Sequence, residues 1–202
     1  MTPHSVNDTN SFICGWYADD QTMSIVDNMN YQFDALVDEY GLVGLLSNRV
    51  DKTGKDSTDL ASSLLPQDLQ HSYTDHVARC WQEYSKIYTH ADELFYLECN
   101  QWQLQEYKPK SVGYPAWHYE RSFSCIFRHC VFMTYLNDVT DEGVTEFLYY
   151  PEIKIKPEKG LTLIFPADFT HTHCGRGSPT QHKRFATGWI THDILASTKD
   201  NQ

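Results

Sequence analysis

Two hydrophobic periods divide the chain. After Asp19-Asp20, apolar residues recur at Ile25, Val26, Met29, Phe33, Leu36, Val37 and Tyr40, and Gly41 follows. That spacing is the stripe of an amphipathic helix, with Gly41 as its expected cap. A second stripe, Leu69, Tyr73, Val77, Cys80, Trp81, Tyr84 and Ile87, predicts a helix from Pro66 to about Tyr88, with the proline suited to a first turn. Between them the polar stretch 48–59, "NRVDKTGKDSTD", reads as a loop.

From Leu94 onward the period falls to two. In "WQLQEY" (102–107), parity sends Gln103, Gln105 and Tyr107 to one face and Trp102 and Leu104 to the other. "RHCVFMTYLND" (128–138) is apolar on both faces, the mark of a strand covered on both sides. "IKIK" (153–156) alternates, "PEKG" turns, and "LTLIFP" (161–166) and "RFATGWIT" (184–191) complete the series. Strands this close together, without helices between them, predict a mainly β sandwich or barrel, a jelly-roll, with N-terminal helices packed on the outer face of one sheet. No linker-like stretch interrupts the chain, so a single domain over 1–202 is expected: 1–92 a mainly helical support layer, 93–192 the jelly-roll core, 193–202 a tail.

Composition narrows the function. Hydrophobic residues make up 41% of the chain, enough to fill a core. The formal charge of −11 repels phosphate backbones, so nucleic acid is not an expected partner. No apolar run approaches the ~20 residues of a membrane span, and "MTPHSVNDTNSF" has neither the basic start nor the apolar segment of a signal peptide. Cys14, Cys80, Cys99, Cys125, Cys130 and Cys174 form no C-x-x-C pair and fall mostly in apolar runs, so reduced, buried thiols and a cytoplasmic location are expected.

The candidate chemistry begins at "YPAWHYERS" (114–122). In a continuous strand His118 and Glu120 share one face, with Trp117, Tyr119 and Arg121 on the other, where Trp117 and Tyr119 are expected to pack between sheet and helices. "FTHTHCG" adds His171 and His173, again two apart. Two histidines and one carboxylate form the facial triad of non-haem iron oxygenases, which leaves coordination positions open. Both His171 and His173 are candidates for the third ligand. Lys183 and Arg184 follow, and a fixed cation suits an anionic co-substrate; parity allows only one of them to face the same pocket. His71, His76, His129 and His182 read as structural or solvated.

With these residues in place, "YPAWHYE", "YLND", "DEGVTEFLYYPEIKIKPEKGLTLIFPADFTHTH" and "KRFATGWI" resemble, in order and spacing, the iron(II)- and 2-oxoglutarate-dependent dioxygenases of the prolyl 4-hydroxylase-like branch, over about residues 100–191. The resemblance implies a double-stranded β-helix of the jelly-roll, cupin-like kind. It implies His118, Glu120 and His173 as the metal ligands and catalytic set, Lys183 on the far carboxylate of 2-oxoglutarate, and Tyr107 and Tyr135 lining that co-substrate's pocket. His171 is then left near the ligands or facing substrate. Iron(II), 2-oxoglutarate and O2 are the implied cofactor and co-substrates, with ascorbate a candidate reductant. The implied activity is hydroxylation of an unactivated C–H bond with decarboxylation of 2-oxoglutarate to succinate and CO2. The implied partner is a protein or peptide, with a prolyl target foremost, or a small molecule. Two positions depart from the family pattern. Glu120 stands where Asp is commoner, although a carboxylate there still favours hydroxylation over halogenation. Val144 stands where the family has a second glycine, so the loop around it is expected to be built differently. Substrate-selecting loops are expected at 48–63, 108–114 and 138–146. The competing reading is a non-catalytic cupin-like binding module.

Overall fold

The computed structural model describes residues 1–43, 45–46, 49–50, 55–91, 97–98 and 102–192, with side chains described at 1–41, 55–91 and 102–191. Cys99, positions 51–54 of the expected loop and the expected tail 193–202 lie outside the described residues.

Both predicted helices form. The first, α1, spans Asp20–Tyr40 and starts where Asp19 accepts hydrogen bonds from the Thr22 amide (2.9 Å) and hydroxyl (2.7 Å). Gly41 ends it, but not in the left-handed conformation expected of a glycine cap: its φ is −68°. Glycine is needed there for space, because a Cβ would lie 2.5 Å from the Val37 carbonyl oxygen. The second helix, α2, spans Gln67–Ile87 and is preceded by Pro66, which lies just outside rather than within the first turn. Leu69, Tyr73, Val77, Cys80, Trp81 and Tyr84 are buried as the stripe requires, and Ile87 alone of that stripe is exposed.

The strands, in chain order, are β1 (Cys14–Tyr17), β2 (Thr58–Ala61), β3 (Trp102–Tyr107), β4 (Gly113–His118), β5 (Arg128–Tyr135), β6 (Thr145–Phe147), β7 (Tyr150–Ile155), β8 (Leu161–Pro166), β9 (His173–Arg176) and β10 (Lys183–His192). A large antiparallel sheet runs β1-β8-β5-β10-β3-β2, and a smaller one runs β7-β6-β9-β4. Two-residue strands at Thr2–Pro3, Leu42–Val43 and Leu97–Glu98 extend the large sheet. The jelly-roll is therefore as expected, and residues 1–92, expected to be mainly helical, also contribute strands. They add β1 and β2 to the sheet, and Thr58 and Asp59, expected in a loop, are in strand.

The large sheet has two apolar faces. On one, Trp102, Leu104, Phe132, Ile164 and Ala186 pack against Val26, Met29, Phe33, Tyr73 and Trp81 of the helices. On the other, Tyr107, Val131, Met133, Leu163, Phe165 and Phe185 meet Phe147, Ile153 and Ile155 of the small sheet. Strand alternation sorts each residue to its face, as the sequence predicts for β3 and β5. Phe132, fully buried, would leave a cavity on truncation to alanine, at a cost of roughly 3–5 kcal/mol. His76 ties the layers together: its ring hydrogen-bonds the hydroxyls of Thr22 in α1 (3.2 Å) and Thr162 in β8 (2.8 Å). Burial lowers its pKa to about 4, so it is neutral at pH 7.

Trp117 and Tyr119 are 44% and 50% exposed, contrary to the expectation that they pack in the core. Trp117 is on the edge strand of the small sheet and Tyr119 lies just past its end, and the helices cover only the large sheet. No helix among the described residues is long and apolar enough to cross a membrane.

Candidate metal centre

Strands β4 and β9 are neighbours in the small sheet, and their register sets His118 directly opposite His173. The ring centroids are 4.4 Å apart. Each ring is oriented by the carbonyl two residues before it: Nδ1 of His118 hydrogen-bonds the Ala116 carbonyl (2.8 Å) and Nδ1 of His173 the His171 carbonyl (3.0 Å). A carbonyl only accepts, so Nδ1 carries the proton and Nε2 is left as a lone-pair donor. Burial holds the His118 pKa below the ordinary value, and burial followed by repulsion from His118 pushes His173 down to about 3. Both rings are then neutral at pH 7, the form that binds a metal.

Glu120 lies past the end of β4 and joins them by a different route. Its amide bonds the Ala167 carbonyl (3.0 Å), and its Oε1 comes within 3.6 Å of His118 Nε2. Ligand atoms of His118, Glu120 and His173 all lie within 4.8 Å of one another. Donors around one ion at about 2.1 Å stand roughly 3 Å apart, so small side-chain rotations close the set. Two neutral imidazoles and a carboxylate fit iron(II) or another borderline divalent ion.

His171 is not on the strand. It ends a short 3-10 turn, Phe169–His171, and strand β9 starts only at His173. The expectation that the two histidines share a strand face fails for that reason. His171 bonds the Ser11 carbonyl through Nε2 (2.8 Å) and stacks on Tyr150 (5.3 Å between centroids), which makes it structural.

The three donors line a cavity of about 380 Å³ that Lys183 and Tyr107 also line. Lys183 opens β10 opposite Tyr107 on β3 and is 1% exposed. Its Nζ donates to the Arg176 carbonyl (3.2 Å), and among the described residues no carboxylate pairs with it. Burial pushes its pKa down to about 7. Arg184, one residue on, points to the opposite face and bonds Asp34 (2.8 Å) and Glu106 (2.7 Å) above Phe33. Parity thus separates the two cations, as expected. Gln103 and Gln105 also line the cavity. Gly175 leaves room between the polar groups: a Cβ there would lie 3.4 Å from the Tyr107 oxygen and 3.9 Å from Lys183 Nζ. That gap, beside an unneutralised ammonium and a phenol, suits a carboxylate.

Tyr135, expected to line this pocket, stands behind it. It is buried, its hydroxyl bonds Thr145 (2.7 Å), and Thr145 is the residue at the cavity wall. Sequence reasoning also missed groups that the structure brings in. Arg128 and Trp189 both reach Glu120, and Lys55, paired with Asp59 at 2.7 Å, lines the cavity from outside the jelly-roll strands. Trp189 had a signal, since it shares strand parity with Lys183. Lys55 sits in a polar stretch with none.

No family model and no curated protein matches the sequence. Solved structures do match. A prolyl hydroxylase from Trichoplax adhaerens, in complex with a hypoxia inducible factor peptide fragment, superposes with a TM-score of 0.72 at 12% identity, covering 94% of this chain and 88% of that one. A prolyl-4-hydroxylase from Pseudomonas putida gives 0.70 at 12% identity, with 94% and 98% covered. The viral collagen prolyl hydroxylase of Paramecium bursaria Chlorella virus-1, as its 2OG complex, gives 0.65 at 16% identity, with 92% and 98% covered. The chain has the prolyl 4-hydroxylase fold. Within that fold, its loop 138–146 turns through left-handed conformations at Glu142 (φ 55°) and Gly143 (φ 69°), and Val144 has no positive φ. The second glycine's freedom is not used here, which is how valine is accommodated.

Proposed function

We propose that the protein is an iron(II)- and 2-oxoglutarate-dependent hydroxylase acting on a peptide, with a prolyl residue as the foremost target. The observation that carries this reading is the cavity that holds both a two-histidine, one-carboxylate donor set and a buried lysine that has no carboxylate partner among the described residues. The donor set alone would suit many metal proteins. A buried ammonium at about neutral pKa is costly to keep, and an anionic co-substrate gives it a purpose.

In this reading Lys183 and the Tyr107 hydroxyl hold the far carboxylate of 2-oxoglutarate, and Gly175 leaves it room. His118, Glu120 and His173 hold iron(II), which when bound supplies oxygen activation coupled to decarboxylation of the 2-oxo acid. Glu120 occupies the position that a halide would need. Val131, Met133 and Phe185 line the cavity with apolar surface and exclude water from it. A peptide substrate is supported by the segment that follows β4. Tyr119 and Cys125 line the cavity, while Phe123, Ile126 and Phe127 are 99%, 52% and 41% exposed beside it. Exposed apolar clusters of this kind mark interaction surfaces. The Trichoplax structure of the same fold holds a peptide. A cytoplasmic location belongs to the same reading, supported by free thiols at the five described cysteines.

The test is direct. Protein purified without oxygen is given Fe(II), 2-oxoglutarate and air, and succinate is measured with and without proline-containing peptides. Succinate that rises with a peptide, and a 16 Da gain on that peptide, are expected. Metal binding without 2-oxoglutarate binding or succinate would instead favour a non-catalytic cupin-like module.

A further inference from the structure

Glu120 is a long ligand that lies past the end of β4, outside the ladder of the small sheet. It stands two residues beyond His118, the last residue of β4, and its side chain has one more rotatable bond than an aspartate would. An unrestrained carboxylate in that position can chelate through both oxygens and so close a coordination position. The surroundings prevent this. Arg128 Nη1 donates to Glu120 Oε2 at 2.9 Å and to the Glu120 main-chain oxygen at 3.2 Å, so one guanidinium nitrogen grips both the carboxylate and the main chain of that residue. Trp189 Nε1 donates to the same Oε2 at 3.0 Å. The guanidinium lies over the Trp189 ring, 3.4 Å from its centroid. The two donors are on β5 and β10, adjacent strands of the large sheet, with Val131 paired to Trp189. The rigid sheet therefore reaches across the cavity to fix a residue of the opposite loop. Oε1, which faces His118 Nε2 at 3.6 Å, receives no hydrogen bond among the described residues.

We propose that Arg128 and Trp189 are positioning residues that hold Glu120 as a one-oxygen metal ligand, offsetting the extra methylene and keeping the remaining coordination positions open. The inference rests on the metal site proposed above. It assigns Oε2 to the protein and Oε1 to the ion. Arg128 is bound to do this by geometry rather than by charge alone: a guanidinium can grip two acceptors and stack on an indole together, whereas an ammonium cannot match all three contacts.

The experiment uses Co(II), whose affinity and visible spectrum report the donor set without turnover. Arg128→Gln and Trp189→Phe are compared with wild type, each checked for an unchanged far-ultraviolet circular dichroism spectrum. The dissociation constant for Co(II) is expected to rise about 10- to 100-fold in either variant, with a changed absorption envelope as Oε2 becomes free to bind. Arg128→Lys should recover part of the affinity and not the spectrum. Glu120→Asp supplies the decisive arm. Its shorter carboxylate withdraws from both donors, so Arg128→Gln in that background should cost less than threefold. If the single variants bind Co(II) within threefold of wild type with the same spectrum, or if the penalty is equally large in the Glu120→Asp background, the positioning role is overturned while the metal site stands. A wild-type protein that binds no Co(II) overturns both. Should Arg128→Gln fail to fold, Trp189→Phe alone, which removes the Nε1 donor and keeps an aromatic ring there, decides the question by the same criteria.

Discussion

Lys183 gives the sharpest quantitative test of the proposed co-substrate site. Among the described residues its ammonium has one hydrogen-bond partner, a backbone carbonyl, and loss of water lowers its pKa to about 7. A carboxylate bound to it restores a counter-charge and draws that pKa back up, so binding above neutrality must take up a proton. Below pH 7 the lysine is already charged, and 2-oxoglutarate binds without uptake. Each pH unit above 7 then weakens binding about tenfold, so affinity at pH 9 should be roughly 100-fold below that at pH 6, or about 3 kcal/mol. Anaerobic calorimetric titration of the Mn(II)-loaded protein from pH 6 to 9 measures this. Lys183→Arg keeps its charge throughout and should give a flat profile. A 2-oxo monocarboxylate, which lacks the far group, should bind wild type and Lys183→Met equally weakly. A flat wild-type profile, or a monocarboxylate that still distinguishes the two proteins, would refute the assignment. The same shift has a stability side. The folded pKa lies below the unfolded value of 10.5, so the charged lysine destabilises the free protein fully below about pH 7, and this is relieved as pH rises toward 10.5. Urea denaturation should find Lys183→Met more stable than wild type by a few kcal/mol at pH 6, with the gap closing at high pH.

Three further outcomes are expected. Gly175→Ala puts a methyl group 3.4 Å from the Tyr107 oxygen, and calorimetry should show at least a tenfold loss of 2-oxoglutarate affinity with Co(II) affinity unchanged. Arg184→Gln strips the buried Glu106 of its closest cation and should cost about 3 kcal/mol in urea denaturation, while the KM for 2-oxoglutarate stays within twofold in the folded protein. His171→Gln should keep Co(II) affinity within threefold and lose only about 1 kcal/mol of stability, since its ring serves Ser11 and Tyr150 rather than the metal.

Legibility in the sequence followed strand alternation. Where a strand is continuous, parity placed residues correctly: Gln105 and Tyr107 toward the cavity, Leu104 toward the helices, Lys183 and Arg184 on opposite faces. Where a strand ends, the same rule misled. His118 is the last residue of β4 and His173 the first of β9. The period of two therefore says nothing about Tyr119, Glu120 or His171, and the first and last of these went elsewhere than expected. Gly41 was read as a backbone device and is a packing one. β2 and Lys55 were hidden because a polar stretch that ends in one buried ion pair looks, residue by residue, like a solvated loop.

The failures of parity coincide with the chemistry, and this has a physical cause. A metal ligand set must converge on one point, while a sheet spreads side chains apart at regular intervals. Paired strands can bring two histidines together, as β4 and β9 do. The third donor has to come from chain that has left the ladder, and such chain has no sheet partner to fix its side chain. The fixing must then be done by long side chains from a neighbouring rigid element, here Arg128 and Trp189 of the large sheet. A ligand lying outside a strand thus implies a clamp, and the clamp is invisible to any pattern within the ligand's own segment. Searching the facing strands for an arginine or an indole able to reach that carboxylate is the step that finds it.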